Sequence, residues 1–333
     1  MKKIFINGKF LCQKITGVQR FALEIVKEFD KMADDNLELF LICPSEKYVV
    51  SNIKFEKIRI IFLKGKPNYW WEQIILSHYC KKNKPDEFLN LCNIAPVLYP
   101  GSCVIHDIGV IEAPKGFSFK QRLVYKIINK CNIKRYKKVF TVSNTMNNHI
   151  SDFYKRHDII TIYNGYQHIL SIKSKKPKID LPNDYFFSLG SANPNKNFKS
   201  IIKIAKNNPN MNFIVSGNKS KSFSKEKLEK VSNVIFTGYL SDEEIVYLYK
   251  NCVAFLFPSI YEGFGIPPLE ALACGCKNVI CNDIPVLREI YKKNVQFVHF
   301  NEIKSIILEN KSNINEIEYN WKVSALLIIK ELL

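Results

Sequence analysis

The stretch from Phe257 to Arg288, FPSIYEGFGIPPLEALACGCKNVICNDIPVLR, decides the fold of this chain. It follows an apolar run that predicts a buried strand, and it opens into a loop with glycines on both sides of Phe264. Pro267 and Pro268 then predict the start of a helix, because the first helical amides have no intrahelical partner. A second apolar run, residues 278–281, predicts the next strand. These features predict a strand–loop–helix–strand unit of an α/β protein.

The loop of this unit is suited to bind an anion and hydroxyl groups. Gly263 and Gly265 let the backbone approach a ligand closely, and the amides that open the helix carry partial positive charge. Glu262 and Glu270 flank that position. Because phosphates repel carboxylates, each glutamate is better suited to accept hydrogen bonds from hydroxyl groups, and a nucleotide sugar has both groups. An ordinary strand–loop–helix crossover with solvated glutamates is the alternative, and the residue types alone do not decide between them.

The spacing Glu262-x7-Glu270, within EGFGIPPLEALACG, resembles the paired-glutamate motif of the family-four retaining glycosyltransferases. This motif is much more specific than a glycine-rich loop alone, and the resemblance extends from Gly17 to Trp321. It implies the GT-B fold, an α/β architecture of two facing Rossmann-like domains with a cleft between them. It also implies transfer of a sugar from a nucleoside diphosphate donor, with retention and without another cofactor, in bacterial polysaccharide or lipopolysaccharide synthesis.

The resemblance assigns roles to single residues. It places Glu262 on the donor sugar and Glu270 on the ribose. His106, in VIHDIGVIEAP, would lie against the donor sugar, with Asp107 as its structural support. Gly17, in TGVQRF, would face the donor diphosphate from the opposite domain.

The loop after a predicted strand that ends at Gly190 carries the main predicted cation. Lys196 stands at a helix entry, where a lysine can neutralise a diphosphate. The family has the pattern PRKN here, and Asn195 stands in place of its arginine, which leaves Lys196 as the principal cation. Tyr239 and Leu240 match the position that lines the base pocket in the family. The predicted catalytic residues are Glu262, His106 and Lys196, and the predicted nucleotide-sugar-binding residues are Gly17, Gly190, Lys196, Tyr239, Leu240, Gly263, Phe264, Gly265 and Glu270.

The length of 333 residues predicts two domains, because one core rarely serves a chain of this size. The segment that follows Asn164-Gly165, as far as Asn183, is rich in lysine, serine and proline and reads as a linker. An amphipathic helix that starts near Trp321 resembles the closing helix of the family, which returns to the first domain. The predicted domains are residues 1–165 with 318–333, on the acceptor side, and residues 166–317, which bind the nucleotide sugar.

The composition limits the possible partners. The formal charge of +18 favours a polyanionic or phosphorylated partner, but no nucleic-acid-binding signature accompanies it, so no nucleic acid partner is expected. Ten cysteines are scattered without a C-x-x-C pair, which indicates reduced thiols in the cytoplasm. The chain has no Asp-x-Asp, so we expect no metal held by that device.

The region Phe117–Lys138 predicts a basic amphipathic helix, and no acidic residue occurs between Glu112 and Asp152. This pattern is typical of a surface helix with a solvated basic face, and it would also allow the helix to adsorb to anionic lipid. The two interpretations are compatible. We therefore expect an enzyme on the inner face of the cytoplasmic membrane that acts on a lipid-linked glycan. The residues predicted to face the core are Leu123, Val124, Ile127, Ile128 and Cys131, and those predicted on the basic face are Arg122, Lys126, Lys130 and Lys134.

Two other classes stay open at this stage. One is a different GT-B enzyme, either a phosphorylase or an inverting transferase, and the anomer of the product separates these from a retaining enzyme. The other is a non-catalytic polyanion-binding protein, which loss of the glutamates would have indicated, although both are present. The identity of the sugar, the nucleotide, the acceptor and the linkage is not readable from the residues.

Overall fold

The computed structural model describes residues 2–34, 37–50, 53–191, 193–217, 229–310 and 312–333. The chain divides into two compact units. Unit 1 consists of Met1–Ile111, Phe119–Gly165 and Tyr319–Leu333. Unit 2 consists of Glu112–Ser118 and Tyr166–Glu318.

Unit 1 is built on a parallel sheet. Its strands are β1 (Lys2–Asn7), β2 (Leu37–Cys43), β3 (Arg59–Phe62), β4 (Glu87–Asn90), β5 (Ser102–Ile105), β6 (Val139–Thr141) and β7 (Ile159–Thr161). Over the described residues they lie in the order β3-β2-β1-β4-β5-β6-β7, and every pairing is parallel. The intervening helices are α1 (Gly17–Met32), a π-helix (Trp71–Leu76) that continues into α2 (Ser77–Asn83), α3 (Gly109–Glu112), α4 (Phe119–Asn132) and α5 (Asn144–Tyr154).

Unit 2 repeats this plan. Its strands are β8 (Phe186–Leu189), β9 (Phe213–Ser216), β10 (Val234–Gly238), β11 (Ala254–Phe257), β12 (Val279–Asn282) and β13 (Gln296–Val298). In the part of unit 2 that the structure describes, they form a parallel sheet in the order β10-β9-β8-β11-β12-β13. Its helices are α6 (Gln167–Leu170), α7 (Phe198–Asn207), α8 (Asp242–Asn251), α9 (Ile266–Ala273) and α10 (Pro285–Tyr291).

Both sheets have the strand order of a doubly wound α/β fold. In each sheet the chain first adds strands on one side of its first strand and then adds the remaining strands on the other side. The central strands β5, β6 and β11 are buried along their whole length, as strands covered by helices on both faces must be. In unit 1 the order reverses between β1 and β4, and in unit 2 between β8 and β11. Ligands of such sheets bind beyond the carboxyl ends of the strands at these switch points.

The C-terminal helix, α11 (Trp321–Leu332), belongs to unit 1. The Trp321 ring packs edge-on against Phe21 of α1, with 6.0 Å between the ring centroids. The Ser324 hydroxyl donates to the Tyr163 carbonyl oxygen at 2.5 Å. The buried indole holds α11 against α1, and the hydrogen bond holds it to the segment that follows β7.

The segment 112–118 corrects the predicted domain boundary, which left it in the first domain. The Asn193 Nδ2 atom donates to the Gly116 carbonyl oxygen at 3.3 Å, and the Asn195 Nδ2 atom donates to the Ala113 carbonyl oxygen at 3.2 Å. These hydrogen bonds fasten the segment to the loop after β8, so it belongs to unit 2.

The orientation of α4 differs from the predicted one. Of the five apolar residues predicted to face the core, Ile128 is buried and Val124 is half-buried, whereas Leu123, Ile127 and Cys131 are exposed. The helix is turned because a polar residue lies inward: the buried Asn132 side chain donates to the Ala95 carbonyl oxygen at 3.0 Å.

Within the described residues, no helix is both long enough and apolar enough to cross a bilayer.

Candidate active site

The loop that carries Glu262 lies after β11, at the switch point of unit 2. Gly265 ends this loop with a φ of 93°, and it immediately precedes α9. A Cβ atom there would lie 2.7 Å from Leu287 Cδ2, so glycine is required by both the backbone and the space. Phe264 is buried, which anchors the loop between its two glycines. The sharp turn leaves the Gly265 amide and the N-terminal end of α9 at the carboxyl edge of the sheet.

Lys196 and Glu262 form an ion pair at this edge. The Lys196 Nζ atom lies 2.5 Å from Glu262 Oε1, and both side chains are largely buried. The ammonium group also lies over the Phe257 ring, 5.6 Å from its centroid. Gly190 gives the lysine room, because a Cβ atom there would lie 3.3 Å from Lys196 Cγ. Three residues predicted from the sequence to bind the donor, Gly190, Lys196 and Glu262, are therefore in one place.

Asn195 has a structural task that explains its departure from the family pattern. Its side chain is buried and donates to the Ala113 carbonyl oxygen, while its own carbonyl oxygen accepts from the Ile260 amide at 2.9 Å. The residue therefore joins the loop after β8 to the loop after β11. An arginine at this buried position would place a charge where the chain needs a neutral donor.

Glu270 lies in α9 with both carboxylate oxygens engaged. Oε1 lies 2.9 Å from His168 Nε2, and Oε2 accepts from the Tyr249 hydroxyl at 3.1 Å. Burial and the Glu270 charge raise the pKa of Tyr249 well above its ordinary value, so the phenol stays protonated and continues to donate. The assignment of Glu270 to the ribose stays a prediction.

His168 and Tyr249 were missed by the sequence reasoning. His168 lies in α6, within the segment that the sequence predicted to be a linker. It is 102 positions away from Glu270 in the chain, and no local pattern indicates that pairing. Tyr249 is a fully buried residue of α8, and its hydroxyl group at an apolar position of that helix was the available signal.

Tyr239 and Leu240 follow β10 and have different environments. Leu240 is buried, whereas Tyr239 is exposed over about half of its surface, 56%. The left-handed backbone at Gly238, with a φ of 76°, directs the chain away from the sheet just before them. Only Tyr239 therefore offers a ring that a ligand can reach, and the base-pocket assignment of both residues stays a prediction.

His106 follows β5 in unit 1 and is buried. Its Nε2 atom lies 2.8 Å from the Leu91 carbonyl oxygen, and its ring meets the edge of Phe21, with 4.8 Å between the centroids. Burial lowers the pKa of His106 to about 4, so the neutral ring donates from Nε2 to Leu91. Asp107 Oδ1 accepts from the Gly109 amide at 2.8 Å, at the start of α3.

Gly17 is the first residue of α1, and it is exposed. The preceding Thr16 makes no side-chain cap on the helix, which leaves that end without the usual hydroxyl acceptor. Because Phe21 of the same helix contacts His106, the structure brings the two predicted residues of unit 1 into one neighbourhood. Their assignments to the diphosphate and the sugar stay predictions.

The described ranges of the chain do not gather metal-ligating side chains into a cluster. No group of three or more histidine, cysteine, aspartate or glutamate side chains that could hold a metal ion occurs there.

Comparison with known families gives this geometry its class. Residues 171–316 match the model of the family described as glycosyl transferases group 1. The matched segment is somewhat less than half of the chain, and it contains Lys196, Glu262 and Glu270, so the match includes the paired-glutamate motif. The predicted resemblance to glycosyltransferases of bacterial polysaccharide synthesis is confirmed.

A relative with a recorded activity is the O-antigen chain mannosyltransferase RfbU of Salmonella typhimurium. It is 33% identical over 219 residues, which make up 63% of this chain and 60% of the relative. The chain thus matches less than two thirds of that protein.

Solved structures resemble the whole chain. Sucrose-phosphate synthase from Thermosynechococcus elongatus has a TM-score of 0.73 at 14% identity, covering 99% of this chain and 98% of its own. HepE of Anabaena, in complex with UDP and glucose, has a TM-score of 0.68 at 16% identity, covering 100% and 99%. At these identities the likeness concerns the fold, and the predicted fold class, GT-B with two Rossmann-like α/β domains, is confirmed.

The buried His106 predicts a pH dependence of folding. An unfolded histidine has a pKa near 6.5, so the lowered pKa in the folded state contributes stability that is complete above about pH 6.5. This stability is lost as the pH falls from about 6.5 to about 4. Between about pH 7.5 and pH 5, the free energy of unfolding should fall by about 2 kcal/mol more in the parent than in His106→Gln. Urea unfolding at both pH values measures the difference, and equal losses in the two proteins would contradict it.

Proposed function

We propose that this protein is a retaining, metal-independent hexosyltransferase that uses a nucleoside diphosphate sugar to extend a cell-surface glycan. The observation that carries the proposal is the Lys196–Glu262 pair at the switch point of unit 2, within the segment matched to glycosyl transferases group 1. A cation there suits a diphosphate, and a carboxylate suits the hydroxyl groups of a sugar. The name of the Salmonella relative supports a role in polysaccharide synthesis and makes a mannosyl donor the first to test.

In the proposed reaction, the bond between the anomeric carbon and the diphosphate oxygen breaks. The acceptor hydroxyl oxygen forms its new bond on the same face, and the departing phosphate oxygen takes the acceptor proton. Negative charge grows on the diphosphate, so the Lys196 ammonium and the backbone amides of Gly265 and Ile266 would stabilise the transition state. Glu262 would hold the sugar, whose ring carbon gains positive charge at the same time.

Glu270 has a different environment from Glu262, which supports a different role. Its neighbours are Tyr249 and His168, which fix the carboxylate by hydrogen bonds from two other helices. A carboxylate held in this way is well oriented to accept from the ribose hydroxyls. The ribose does not change during the reaction, so Glu270 would contribute equally to the ground state and the transition state.

The acceptor is proposed to be a lipid-linked glycan, with the enzyme bound peripherally to the inner face of the cytoplasmic membrane. Support comes from α4 and the turn after it, where exposed cations lie on the surface of unit 1. Between Glu112 and Asp152 the chain has no acidic residue to offset them. Such a surface is attracted to anionic lipid headgroups.

Metal independence is tested with a chelator. Because Lys196 provides a fixed positive charge at the switch point, transfer activity should be unchanged in excess EDTA. The measurement is the initial rate of nucleoside diphosphate release with and without the chelator. A strong loss that magnesium or manganese restores would show that the diphosphate site is misassigned.

Membrane binding is tested by charge reversal on α4. Each basic residue near an anionic surface contributes about 1 kcal/mol, so Lys126→Glu with Lys130→Glu and Lys134→Glu should weaken vesicle binding by about 100-fold or more. Co-sedimentation with phosphatidylglycerol vesicles measures it. The matched control changes Lys173, Lys176 and Lys178 to glutamate, which gives the same net charge from exposed lysines of unit 2. Equal losses in both variants, or no binding by the parent, would reject the proposed surface.

Substitution of Glu262 and substitution of Glu270 should change different kinetic constants. Glu262→Gln should lower mainly kcat, because its interaction strengthens as charge develops on the sugar. Glu270→Gln should raise mainly the donor KM, since the ribose contact is the same in both states. A hydrogen bond to a charged group is worth about 1.5–3 kcal/mol, so each effect should be about 10- to 150-fold.

Steady-state kinetics with varied donor decides this prediction. Glu302→Gln is the matched control, because Glu302 is an exposed glutamate of the same unit, and it should leave both constants unchanged. Circular dichroism confirms that each variant is folded. Near-normal kcat and KM in both site variants would reduce the two glutamates to structural residues, and an inverted product anomer would exclude the retaining reaction.

A further inference from the structure

Three large apolar side chains of α4 lie in solvent at four-residue spacing. The exposed fractions are 77% for Phe119, 48% for Leu123 and 52% for Ile127, and Phe153 at the end of α5 is exposed over 48%. Residues four apart on a helix share one face, so the first three form a continuous stripe. Contiguous exposed apolar surface on a soluble unit marks an interaction site more often than chance packing.

Part of this stripe borders a cavity of about 300 Å³. Its apolar lining consists of Phe119, Leu123 and Phe153, together with Val110 and Ile111 of α3. This volume is at the lower end of the range for ligand pockets, so it suits one hydrocarbon chain and not a two-chain lipid. Ile127 lies on the same stripe but outside the lining, so stripe and cavity can be tested separately.

Two cations border the same cavity. Arg122 and Lys126 belong to its lining, and both are exposed. In the described part of the chain, neither lies within ion-pair distance of a carboxylate. An arginine and a lysine one helical turn apart can bind a phosphate together while their aliphatic stems cover apolar surface. An apolar cavity bordered by two cations is complementary to a hydrocarbon chain that ends in a phosphate group.

The position of the cavity relates it to the proposed acceptor. Two of its apolar lining residues, Val110 and Ile111, lie in α3. This helix begins three residues after His106, which follows the carboxyl end of β5. Ligands of doubly wound sheets bind at the carboxyl ends of the strands. A nucleic acid would also be attracted by the cations, but it gives no reason for the exposed aliphatic stripe or for an apolar cavity beneath it.

We propose that this cavity binds the hydrocarbon chain of a single-chain lipid phosphate, the lipid portion of the acceptor, and that Arg122 and Lys126 bind its phosphate. The inference rests on the proposed function, since it identifies the class of lipid that carries the acceptor glycan. It goes further than adsorption to a membrane surface, because one chain leaves the bilayer and enters the protein. Binding would hold the glycan end of the acceptor near the carboxyl edge of the unit 1 sheet.

The test uses farnesyl phosphate as the probe and isothermal titration calorimetry of the full chain. The parent protein should bind farnesyl phosphate, and farnesol and inorganic phosphate should each bind at least about tenfold more weakly. Leu123→Trp fills the cavity and should weaken binding by more than about tenfold, because even two methylene groups left in water cost that much. Arg122→Gln combined with Lys126→Gln should weaken it to the level of farnesol.

The matched control is Ile127→Trp, which adds the same indole to the same stripe outside the cavity. It should leave farnesyl phosphate binding unchanged, and both tryptophan variants should still bind phosphatidylglycerol vesicles. Equal weakening by Leu123→Trp and Ile127→Trp would overturn the proposal, since that is the behaviour of a surface without a specific cavity. Binding of an RNA oligomer in preference to farnesyl phosphate would also overturn it and assign the basic face to nucleic acid.

A second measurement separates this inference from the proposed function. Slow hydrolysis of the nucleotide sugar by water needs the donor site but no lipid, so Leu123→Trp should hydrolyse the donor at the parent rate. Donor hydrolysis without farnesyl phosphate binding would reject the cavity assignment and leave the transferase proposal standing. Farnesyl phosphate binding without any reaction of a nucleotide sugar would reject the transferase and with it the acceptor role of the bound lipid.

Discussion

The left-handed backbone at Gly265 is the constraint on which the candidate site of unit 2 depends. The chain reverses there between β11 and α9 within a space too small for a Cβ atom, because Leu287 of α10 lies against it. The Tyr291 hydroxyl, also from α10, donates to the Gly265 carbonyl oxygen. The next helix along the sheet thus fixes the turn from outside. Glu262 before the turn and Glu270 after it take their positions from this one residue.

The turn separates the two carboxylates into different electrostatic environments. Glu262 lies against the Lys196 ammonium, so its charge is balanced by an opposite charge. Glu270 is buried and is held by the Tyr249 hydroxyl and the His168 ring. Hydrogen bonds from such donors orient the carboxylate. The same residue type therefore has a charged partner before Gly265 and two hydrogen-bonding partners after it.

The alternation of strands and helices, and with it the fold class, could be predicted from local patterns because parallel sheets need apolar strands separated by helices. The meeting of Gly190 and Lys196 with Glu262 followed from motif positions. The contacts of His168 could not be predicted, since they join residues far apart in the chain and depend on how α6 packs against α9. The orientation of α4 was wrongly predicted for a related reason. Apolar periodicity predicted one core-facing stripe, whereas the buried Asn132, which donates to the Ala95 carbonyl oxygen, lies on the side that the structure turns inward.

The supply of positive charge links the departure at Asn195 to the chemistry proposed for α9. With Asn195 committed to the Ala113 carbonyl oxygen, this loop contributes Lys196, and that lysine is already paired with Glu262. The ion pair is neutral as a whole, whereas a diphosphate brings more than one negative charge. Pro267 and Pro268 have no amide hydrogen, so near the start of α9 the additional stabilisation would come from the Gly265 and Ile266 amides and from the helix dipole. The glycine turn therefore has an electrostatic role as well as a steric one, because its left-handed backbone places these amides on the same edge of the sheet as the Lys196 side chain.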